Sequence, residues 1–587
     1  MIFKTFKKAD YIFCLVIGIF VILLYSLFKI QVIEGKNYKE IAEKNYFRII
    51  KKCSKRGIIY DRNLQPCLEN IPSLSVYINI EKIKDKDRLA DFLAKNLSIT
   101  KDRVLSIIYQ NRFRKFAPIL IDENISLATA IKFEENIDFF PSIIVKSESR
   151  RNYLYHNHFL GYVGKISKEE YNLMKEDEYD KTDYVGKVGL EKFYEKKLKG
   201  KKGYDIIQVD ATGNSLELIK GDLSKAPTAG KDLVLTVDID LQKELTGLLP
   251  EDLSSAAVVM DCKTGGIIAS ASTPYYNQNM FVSGMNYEYW NSIVNDKNKP
   301  LINKLCNATY PPGSIFKLVV AAYILEKKLV NPYEILVDCK GGLEYGGRFF
   351  GCWKKKGHGP VNMLDAIRES CDTYFYKLAE MIDLDDFKKF VDDCELTCKT
   401  GIDIASERKG FFPTSYWYDE NYSEFGWTRG NLLNLAIGQG EVLVTPLSIA
   451  RFYSAIAHGG ILLQPHFLDY YLSEGKKEKV EYNEVNLSIS QEVLEFLMLA
   501  LDEAVNAKGR TGGKARVKGI RVGGKTGSAE NYKGDTHAWF AAIAPLPNPE
   551  ITVVVFIENG GSGANAAASL AGKIMACYFN KEPILKY

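Results

Sequence analysis

Two segments of this chain contain almost no polar side chains, and the first lies near its start. Residues 11–28 carry no charge, and Ile30 and Val32 extend the apolar character past Lys29. At about 1.5 Å per residue, such a helix nearly crosses a hydrocarbon core of about 30 Å. The pattern predicts a retained transmembrane helix over 11–32 behind a tail over 1–10. A cleaved signal peptide is the alternative, although no small-residue cleavage site follows.

The second apolar segment, 318–325, is apolar on all sides, which is typical of a helix buried in a core. It follows a turn of two prolines and a glycine, 311–313, and these residue types preset a sharp bend. A helix that begins there would place Ser314 and Lys317 one turn apart on the same face. Because a nearby amine can activate a serine hydroxyl, this arrangement predicts nucleophilic chemistry.

The chain between these two segments shows the periodicities of both strands and helices. Up to about residue 222, short apolar strands alternate with amphipathic helices. Leu89, Phe92, Leu93 and Leu97, for example, recur at helical spacing. Thr100 is the predicted N-cap of the next helix. This region is expected to be a structural domain over 33–225.

A change in composition separates that region from the rest of the chain. Residues 221–230 are rich in glycine and small polar residues and form a predicted linker. From residue 231 to 587, strands at both ends and helices in the middle predict an α+β fold with one antiparallel sheet flanked by helices. The predicted strands and closing helix are 256–261, 267–271, 520–528, 537–544, 551–557 and 566–578.

Length and charge narrow the class of protein. At 587 residues the chain is too long for one core. A net charge of +4, from 77 basic and 73 acidic residues, provides no basic field for nucleic acid, so no such partner is expected. The 11 cysteines are an odd number for an exported chain, so some are expected to be free, buried or metal-bound. His156 and His158 have no acidic or cysteine neighbour and are expected at the surface.

Three short motifs occur in a fixed order. Ser314 and Lys317 form Ser-x-x-Lys, the run 370–372 reads Ser-Cys-Asp, and the run 525–527 reads Lys-Thr-Gly. With these motifs the chain resembles the class B penicillin-binding proteins, and within them the elongation-type penicillin-binding protein 2. Supporting runs are 56–63, 189–192, 235–238, 438–440, 445–447 and 539–541.

The resemblance implies a serine-type D-Ala-D-Ala transpeptidase that acts on peptidoglycan stem peptides and binds β-lactams. The catalytic residues would be Ser314 as nucleophile, Lys317 as base, Ser370 as proton relay, Asp372, and Lys525 as a positive charge. The substrate would be bound by Thr526, Gly527 and Ser528. The oxyanion would accept hydrogen bonds from the backbone N–H groups of Ser314 and Ser528.

The middle motif departs from the wider superfamily, which has asparagine where this chain has Asp372. The elongation-type branch tolerates aspartate there. A carboxylate near Lys317 would favour its ammonium form and oppose its role as base. We therefore expect Asp372→Asn to keep substantial acylation by penicillin.

A second group of reactive side chains lies between the first two motifs. Cys339, Cys352, His358 and Cys371 occupy a glycine-rich stretch with little apolar material. Three thiolates and an imidazole suit tetrahedral Zn²⁺, and four protein ligands make a structural site. Some elongation-type relatives carry a metal here with carboxylates at some positions, and Asp338 is a reserve ligand. A Cys339–Cys352 disulfide or free thiols are the alternatives.

The resemblance also implies a setting and partners. The region 33–225 would be a pedestal that lifts the catalytic domain off the membrane, on the outer side of the cytoplasmic membrane. The partners would be a polytopic glycosyltransferase of the elongation machinery and its scaffold. Division- or sporulation-type synthases, a β-lactam sensor and a β-lactamase are the competing interpretations. Trp353, Tyr310 and Trp539 could line the cleft, although aromatic residues are more often packed.

Overall fold

The structure is a computed structural model that describes residues 8–36, 47–113, 118–177, 179–209, 215–219, 224–422, 426–531 and 534–584. The chain divides into two compact units. Unit 1 comprises 1–56, 74–147 and 199–230, and unit 2 comprises 57–73, 148–198 and 231–587. The chain enters unit 2 for the last time at residue 231, next to the predicted linker.

The N-terminal helix, Lys8–Phe28, continues through a π-helical turn, Lys29–Ile33. Over Tyr11–Ile33 it is long and apolar enough to cross a membrane, and none of its residues is buried. No other helix in the described part of the chain meets the length and composition test. The helix agrees with the predicted span over 11–32, whereas residues 1–7 of the predicted tail lie outside the described residues.

Beyond this helix, the described residues of unit 1 contain three helices and strands of two small sheets. Helices Lys86–Asn96 and Lys101–Gln110 bury Leu93 and Ile108 in one core. Thr100 caps the second helix with its side chain, as predicted. One sheet contains Phe47–Lys52, Gly203–Val209 and Ser215–Ile219, and the other contains Ile119–Ile125, Leu68–Ile78 and Ile143–Tyr153. The last two strands cross the boundaries at 73/74 and 147/148, so only residues 74–78 and 143–147 of them belong to unit 1. The helix Leu127–Glu135 and the 3-10 turn Ile80–Lys82 complete the elements.

Five antiparallel strands form the central sheet of unit 2. In sheet order they are Ile267–Thr273, Ser255–Asp261, Ile551–Ile557, His537–Ala544 and Gly523–Ala529. Side chains alternate between two buried faces: Val258 belongs to the larger core, whereas Val259 belongs to a second core with the C-terminal helix, Ala567–Tyr578. This confirms the predicted sheet flanked by helices, with its edge strand beginning at Gly523 rather than Ile520.

The helix after the proline turn, Lys317–Glu326, lies in the larger core. Every residue from Lys317 to Ile324 is buried, which confirms the predicted buried helix. The α-helix begins only at Lys317, however, and Ser314 lies in a 3-10 turn, Gly313–Phe316. The reason is the left-handed backbone of Gly313, whose φ of 56° cannot belong to an α-helix.

Shorter elements surround these two layers in unit 2. A four-stranded sheet contains Lys476–Lys479, Leu468–Ser473, Asp232–Leu235 and Ile59–Tyr60. Two-stranded pairs join Val337–Cys339 to Gly359–Val361, Gly342–Tyr345 to Arg348–Gly351, Ile461–Leu463 to Glu484–Asn486, and Val163–Lys165 to Tyr184–Gly186. The other helices are Lys168–Leu173, Gly189–Phe193, Glu195–Leu198, Ile239–Leu248, Gln278–Ser283, Tyr287–Val294, Met363–Arg368, Asp372–Ala379, Leu384–Asp393, Ser415–Asn421, Arg429–Ala436, Pro446–Ala457 and Gln491–Asn506, with 3-10 turns Lys175–Asp177 and Gly513–Ala515.

His158 departs from the sequence expectation. Its side chain is buried, and Nε2 lies 2.6 Å from the carbonyl oxygen of Pro300, 142 residues away. Burial lowers the pKa of His158 to about 4, so Nε2–H is the donor of a neutral ring. The expectation of a surface histidine was wrong because a contact this distant in sequence leaves no local signal. His156 is exposed, as expected.

Candidate active site and adjoining thiol cluster

The turn that carries Ser314 is seated between a loop and the edge strand of the sheet. Gly313 donates its N–H to the carbonyl oxygen of Gly438 at 2.8 Å. A Cβ at Gly438 would lie 2.1 Å from the oxygen of Gly313, so only glycine permits this approach. On the other side, a Cβ at Gly527 would lie 2.9 Å from the oxygen of Pro312. These contacts fix the position of the half-buried Ser314.

The hydroxyl of Ser370 lies between two buried lysines. Lys525 Nζ donates to Ser370 Oγ at 2.9 Å, and Lys317 Nζ donates to the same oxygen at 3.4 Å. Burial holds the pKa of Lys525 well below its usual range, and the positive charge of Lys317 lowers it further. One residue from each of the three predicted motifs therefore meets at this hydroxyl.

Lys317 also forms an ion pair with Asp372. Lys317 Nζ lies 2.7 Å from Asp372 Oδ1, and it donates to the carbonyl oxygen of Ser370 at 3.0 Å. The second carboxylate oxygen, Oδ2, accepts the backbone N–H of Trp353 at 3.0 Å. The side chains of Lys317 and Asp372 are 0% and 12% exposed. Removing either charge would leave the other buried without its partner.

The strand Gly523–Ala529 forms the wall of the site opposite the helices. It is the edge strand of the central sheet and pairs only with His537–Ala544. An edge strand offers backbone groups to which an extended peptide can bind as an added strand. Thr526 is buried beneath this edge, whereas Ser528 is exposed on it. The hydroxyl of Ser528 accepts the N–H of Gly563 at 3.1 Å, which holds the end of the strand.

A thiol cluster lies directly beside the second motif. The ligand atoms of Cys339, Cys352, His358 and Cys371 all lie within 4.8 Å of one another. His358 Nδ1 is 3.5 Å from the sulfur of Cys339 and 3.6 Å from that of Cys352. A hydrogen bond from Cys371 lowers the pKa of the Cys352 thiol and raises that of Cys371 itself. One nitrogen and three sulfurs, one of them already thiolate-like, are a donor set that fits a tetrahedral metal ion.

Comparison with known proteins identifies the family of this chain. Residues 255–576 match the penicillin binding protein transpeptidase domain, and residues 51–235 match the penicillin-binding protein dimerisation domain. The chain belongs to the class B penicillin-binding proteins of the PBP2 (MrdA) type.

Two solved structures and one relative illustrate the similarity. The peptidoglycan D,D-transpeptidase MrdA of Haemophilus influenzae is 31% identical over 95% of this chain and 89% of its own length. Penicillin-binding protein PBP2 of Helicobacter pylori, solved in complex with MreC, has a TM-score of 0.80 and 29% identity, with 91% of this chain and 100% of that chain covered. A chain from a peptidoglycan synthase complex, solved to study how polymerization and crosslinking are coordinated, has a TM-score of 0.70 and 26% identity over 99% of this chain and 100% of that chain.

The structure of this penicillin-binding protein brings the predicted site residues into two adjoining groups. The first comprises Ser314, Lys317, Ser370, Asp372, Lys525, Thr526, Gly527 and Ser528; the second comprises Cys339, Cys352, His358 and Cys371. Asp338, the reserve ligand, is not part of the second group, and its Oδ2 lies 3.9 Å from Nζ of Lys340. The two groups meet because Cys371 stands between Ser370 and Asp372.

Sequence reasoning left two supporting features undetected. One is the close fit of Gly438 against the turn, because the run 438–440 was noticed only as part of the resemblance. The other is the role of Trp353, which is 59% exposed and bonded to the second motif. By contrast, Trp539 is packed, with 0% exposure and its Nε1 donating to Pro311 at 3.0 Å. No local pattern distinguishes these two tryptophans, because their partners are distant in sequence.

Proposed function

We propose that this penicillin-binding protein is a membrane-anchored peptidoglycan D,D-transpeptidase that crosslinks stem peptides during cell elongation. The H. influenzae relative carries this activity in its name and aligns with nearly the whole chain. The observation on which the proposal depends is the hydroxyl of Ser370, hydrogen-bonded to both Lys317 and Lys525 behind the turn of Ser314. This is an arrangement for moving protons to and from a serine nucleophile.

The first half-reaction forms an acyl-enzyme on Ser314. A stem peptide ending in D-Ala-D-Ala lies along the edge strand, and Thr526 binds its terminal carboxylate. Ser314 Oγ bonds to the carbonyl carbon of the penultimate D-Ala, the peptide C–N bond breaks, and the last D-Ala leaves as a free amine whose nitrogen has taken up the one proton lost by Ser314. The N–H groups of Ser314 and Ser528 stabilise the oxyanion, and losing one such donor costs ~3 kcal/mol.

The second half-reaction releases the enzyme. An amine from a neighbouring stem attacks the ester, and the C–O bond to Ser314 breaks as the crosslink forms. A β-lactam follows the first half-reaction through its ring carbonyl, but its ester persists because no acceptor amine resolves it.

Two lysines and a hydroxyl carry the protons. Lys317 takes the proton of Ser314, and before it can do so it must release one of its own. Ser370 offers a path for that proton, since its hydroxyl is bonded to both Lys317 and Lys525. Burial lowers the pKa of the Lys525 amine, which favours its uncharged form and leaves a lone pair for this proton. The same path returns a proton to the departing D-Ala, while the remaining positive charge attracts the substrate carboxylate.

The thiol cluster is proposed to hold a structural Zn²⁺ through Cys339, Cys352, His358 and Cys371. Bound by four side chains, the ion would crosslink residues 339–371, a glycine-rich segment with little apolar material to stabilise it. Because Cys371 adjoins Ser370, this link would restrain the second motif. Metal analysis of the purified protein tests the assignment: we expect one zinc per chain. Absence of stoichiometric zinc, with a Cys339–Cys352 disulfide by mass spectrometry, would contradict it.

The proposed setting follows the family. Residues 1–10 form a cytoplasmic tail, 11–32 the anchor, 33–225 the pedestal and 231–587 the transpeptidase domain outside the cytoplasm. The H. pylori protein was solved with MreC, and another similar chain belongs to a synthase complex. We propose a scaffold protein and a polytopic glycosyltransferase of the elongation machinery as partners of this chain as well.

The decisive experiment is labelling with a fluorescent penicillin followed by peptide mass spectrometry. We expect one covalent adduct on the peptide that contains Ser314, and none in Ser314→Ala. An adduct on another residue would refute the proposed site. The lifetime of the ester separates this function from that of a β-lactamase, since a synthase holds the penicilloyl ester for long times whereas a β-lactamase hydrolyses it rapidly.

A further inference from the structure

Trp353 makes an unusual set of contacts for an exposed tryptophan. Its side chain is 59% exposed, yet Nε1–H donates to two consecutive carbonyl oxygens, that of Glu369 at 3.0 Å and that of Ser370 at 3.1 Å. Its backbone N–H donates to Asp372 Oδ2 at 3.0 Å. One residue therefore contacts two residues of the second motif, Ser370 and Asp372, and the residue before it, Glu369, although none of the three predicted motifs contains Trp353.

The carbonyl groups that it contacts lie at a helix end. Helix Met363–Arg368 ends with Glu369 as its C-cap, and the next helix, Asp372–Ala379, begins three residues after Glu369. Carbonyl groups at such an end lack partners within the helix and need donors from elsewhere. The indole of Trp353 is such a donor, and it reaches the helix end from a separate segment of the chain.

The residue between these helices is held in an unfavourable backbone conformation. Ser370 has φ of 56°, which is left-handed and uncommon for a residue with a Cβ. Such a conformation persists only where the surroundings hold it in place. The carbonyl oxygen of Ser370 is held by two donors, Trp353 Nε1 at 3.1 Å and Lys317 Nζ at 3.0 Å. The Trp353 indole N–H and the Lys317 amine thus donate hydrogen bonds to the same carbonyl oxygen.

We propose that Trp353 is a positioning residue for the transpeptidase reaction: its indole N–H locks the left-handed turn at Ser370. This inference depends on the proposed function. The locked turn keeps the Ser370 hydroxyl between Lys317 and Lys525, and the Trp353 backbone N–H orients the carboxylate of Asp372 toward Lys317. Without the indole bonds, the turn can relax and the hydroxyl spends less time bonded to both amines.

Trp353→Phe tests the inference, because it removes the indole N–H and keeps an aromatic ring and the backbone N–H. The measurement is stopped-flow acylation of the full-length protein by a fluorescent penicillin, which separates the acylation rate constant from the dissociation constant of the first, non-covalent complex. We expect the rate constant to fall about tenfold while the dissociation constant stays within about twofold.

Two further measurements distinguish positioning from folding. Trp290→Phe is the matched control, since Trp290 is 42% exposed on the separate helix Tyr287–Val294, and we expect it to react like the wild type. The midpoint of thermal unfolding of Trp353→Phe should lie close to that of the wild type. Replacement of Trp353 by benzothienylalanine, which keeps the ring shape and replaces N–H by sulfur, should reproduce the slow acylation of Trp353→Phe.

The outcomes are separable from those of the proposed function. If the wild type forms no adduct on Ser314, the proposed function fails. If the wild type reacts and Trp353→Phe reacts at the same rate, only the role of Trp353 fails. If Trp353→Phe raises the dissociation constant of the first, non-covalent complex and leaves the acylation rate constant unchanged, the positioning role is also refuted. Trp353 would then contact the penicillin and not position Ser370. A rate constant restored by benzothienylalanine would show that ring shape matters and the N–H does not.

Discussion

The carboxylate of Asp372 is the most informative group to change. It accepts hydrogen bonds from Lys317 at 2.7 Å and from Trp353 at 3.0 Å. Asparagine has one side-chain oxygen, so Asp372→Asn can keep the bond to Lys317 while its amide faces the N–H of Trp353. A hydrogen bond to a charged group contributes about 1.5–3 kcal/mol and a neutral one about 0.5–1.5 kcal/mol. Asp372→Asn keeps an acceptor for the charged Lys317 amine but removes its counter-charge, so we expect it to lower the free energy of unfolding by less than the cost of breaking a buried pair outright, which is about 3–5 kcal/mol.

Asp372→Ala removes the partner altogether. Lys317 then remains 0% exposed without a counter-charge, and breaking a buried pair in this way costs about 3–5 kcal/mol. We expect Asp372→Asn to acylate within about tenfold of the wild type, which is a change of at most about 1.4 kcal/mol in the barrier. Asp372→Ala should acylate more slowly than Asp372→Asn, because no side chain at this position then orients the Lys317 amine.

The assay combines urea unfolding with stopped-flow acylation of the same preparations. Asp240→Asn is the control, because its pair with Lys243 at 3.0 Å is exposed on the surface and its loss should leave both measurements unchanged. Complete loss of acylation in a folded Asp372→Asn protein would show that the negative charge is essential. Equal stability of the Asn and Ala variants would refute the argument that the amide oxygen of Asp372→Asn partly compensates the buried charge of Lys317.

Two other predictions follow from the packing of unit 2. Gly438→Ala should abolish acylation, because the added Cβ would lie 2.1 Å from the carbonyl oxygen of Gly313. Gly346→Ala is the control and should remain active, because Gly346 also has a positive φ but no atom lies within 4 Å of an added Cβ. Equal activity of the two variants would contradict the close contact between Gly438 and the turn of Ser314. Burial lowers the pKa of His158 from 6.5 to about 4. As the pH falls from 6.5 toward 4, the unfolded chain binds a proton at this residue that the folded chain does not, so the free energy of unfolding should fall by roughly 3 kcal/mol. In His158→Gln, the amide can still donate to the carbonyl oxygen of Pro300, but the side chain does not titrate. The free energy of unfolding of this variant should therefore depend less on pH between pH 4 and 6.5 than that of the wild type. An equal dependence on pH in both proteins would show that other groups cause it.

Local pattern was sufficient for many elements of the fold. Apolar runs predicted the N-terminal helix, the buried helix Lys317–Glu326 and the strands of the central sheet. Side-chain identity predicted the N-cap at Thr100. These features depend on residues within one or two turns of one another, so the sequence contains the information directly.

The arrangement of the site required the tertiary structure. The motifs identified the candidate residues, and the family resemblance suggested their roles. Neither showed that Lys317 Nζ is hydrogen-bonded to the carbonyl and hydroxyl oxygens of Ser370. Nor could spacing reveal that His158 is buried, since its partner is 142 residues away.

The sequence by itself therefore determined which side chains are available for chemistry and which segments are helical, extended or able to cross a membrane. Only the folded chain decided which hydroxyl is shared by two amines, which thiols cluster beside the second motif, and which exposed indole contacts the carbonyl oxygen of Ser370. The physical reason is that periodicity arises from the geometry of a single element, whereas hydrogen bonding and burial at this site arise between elements brought together by the packing of the whole core.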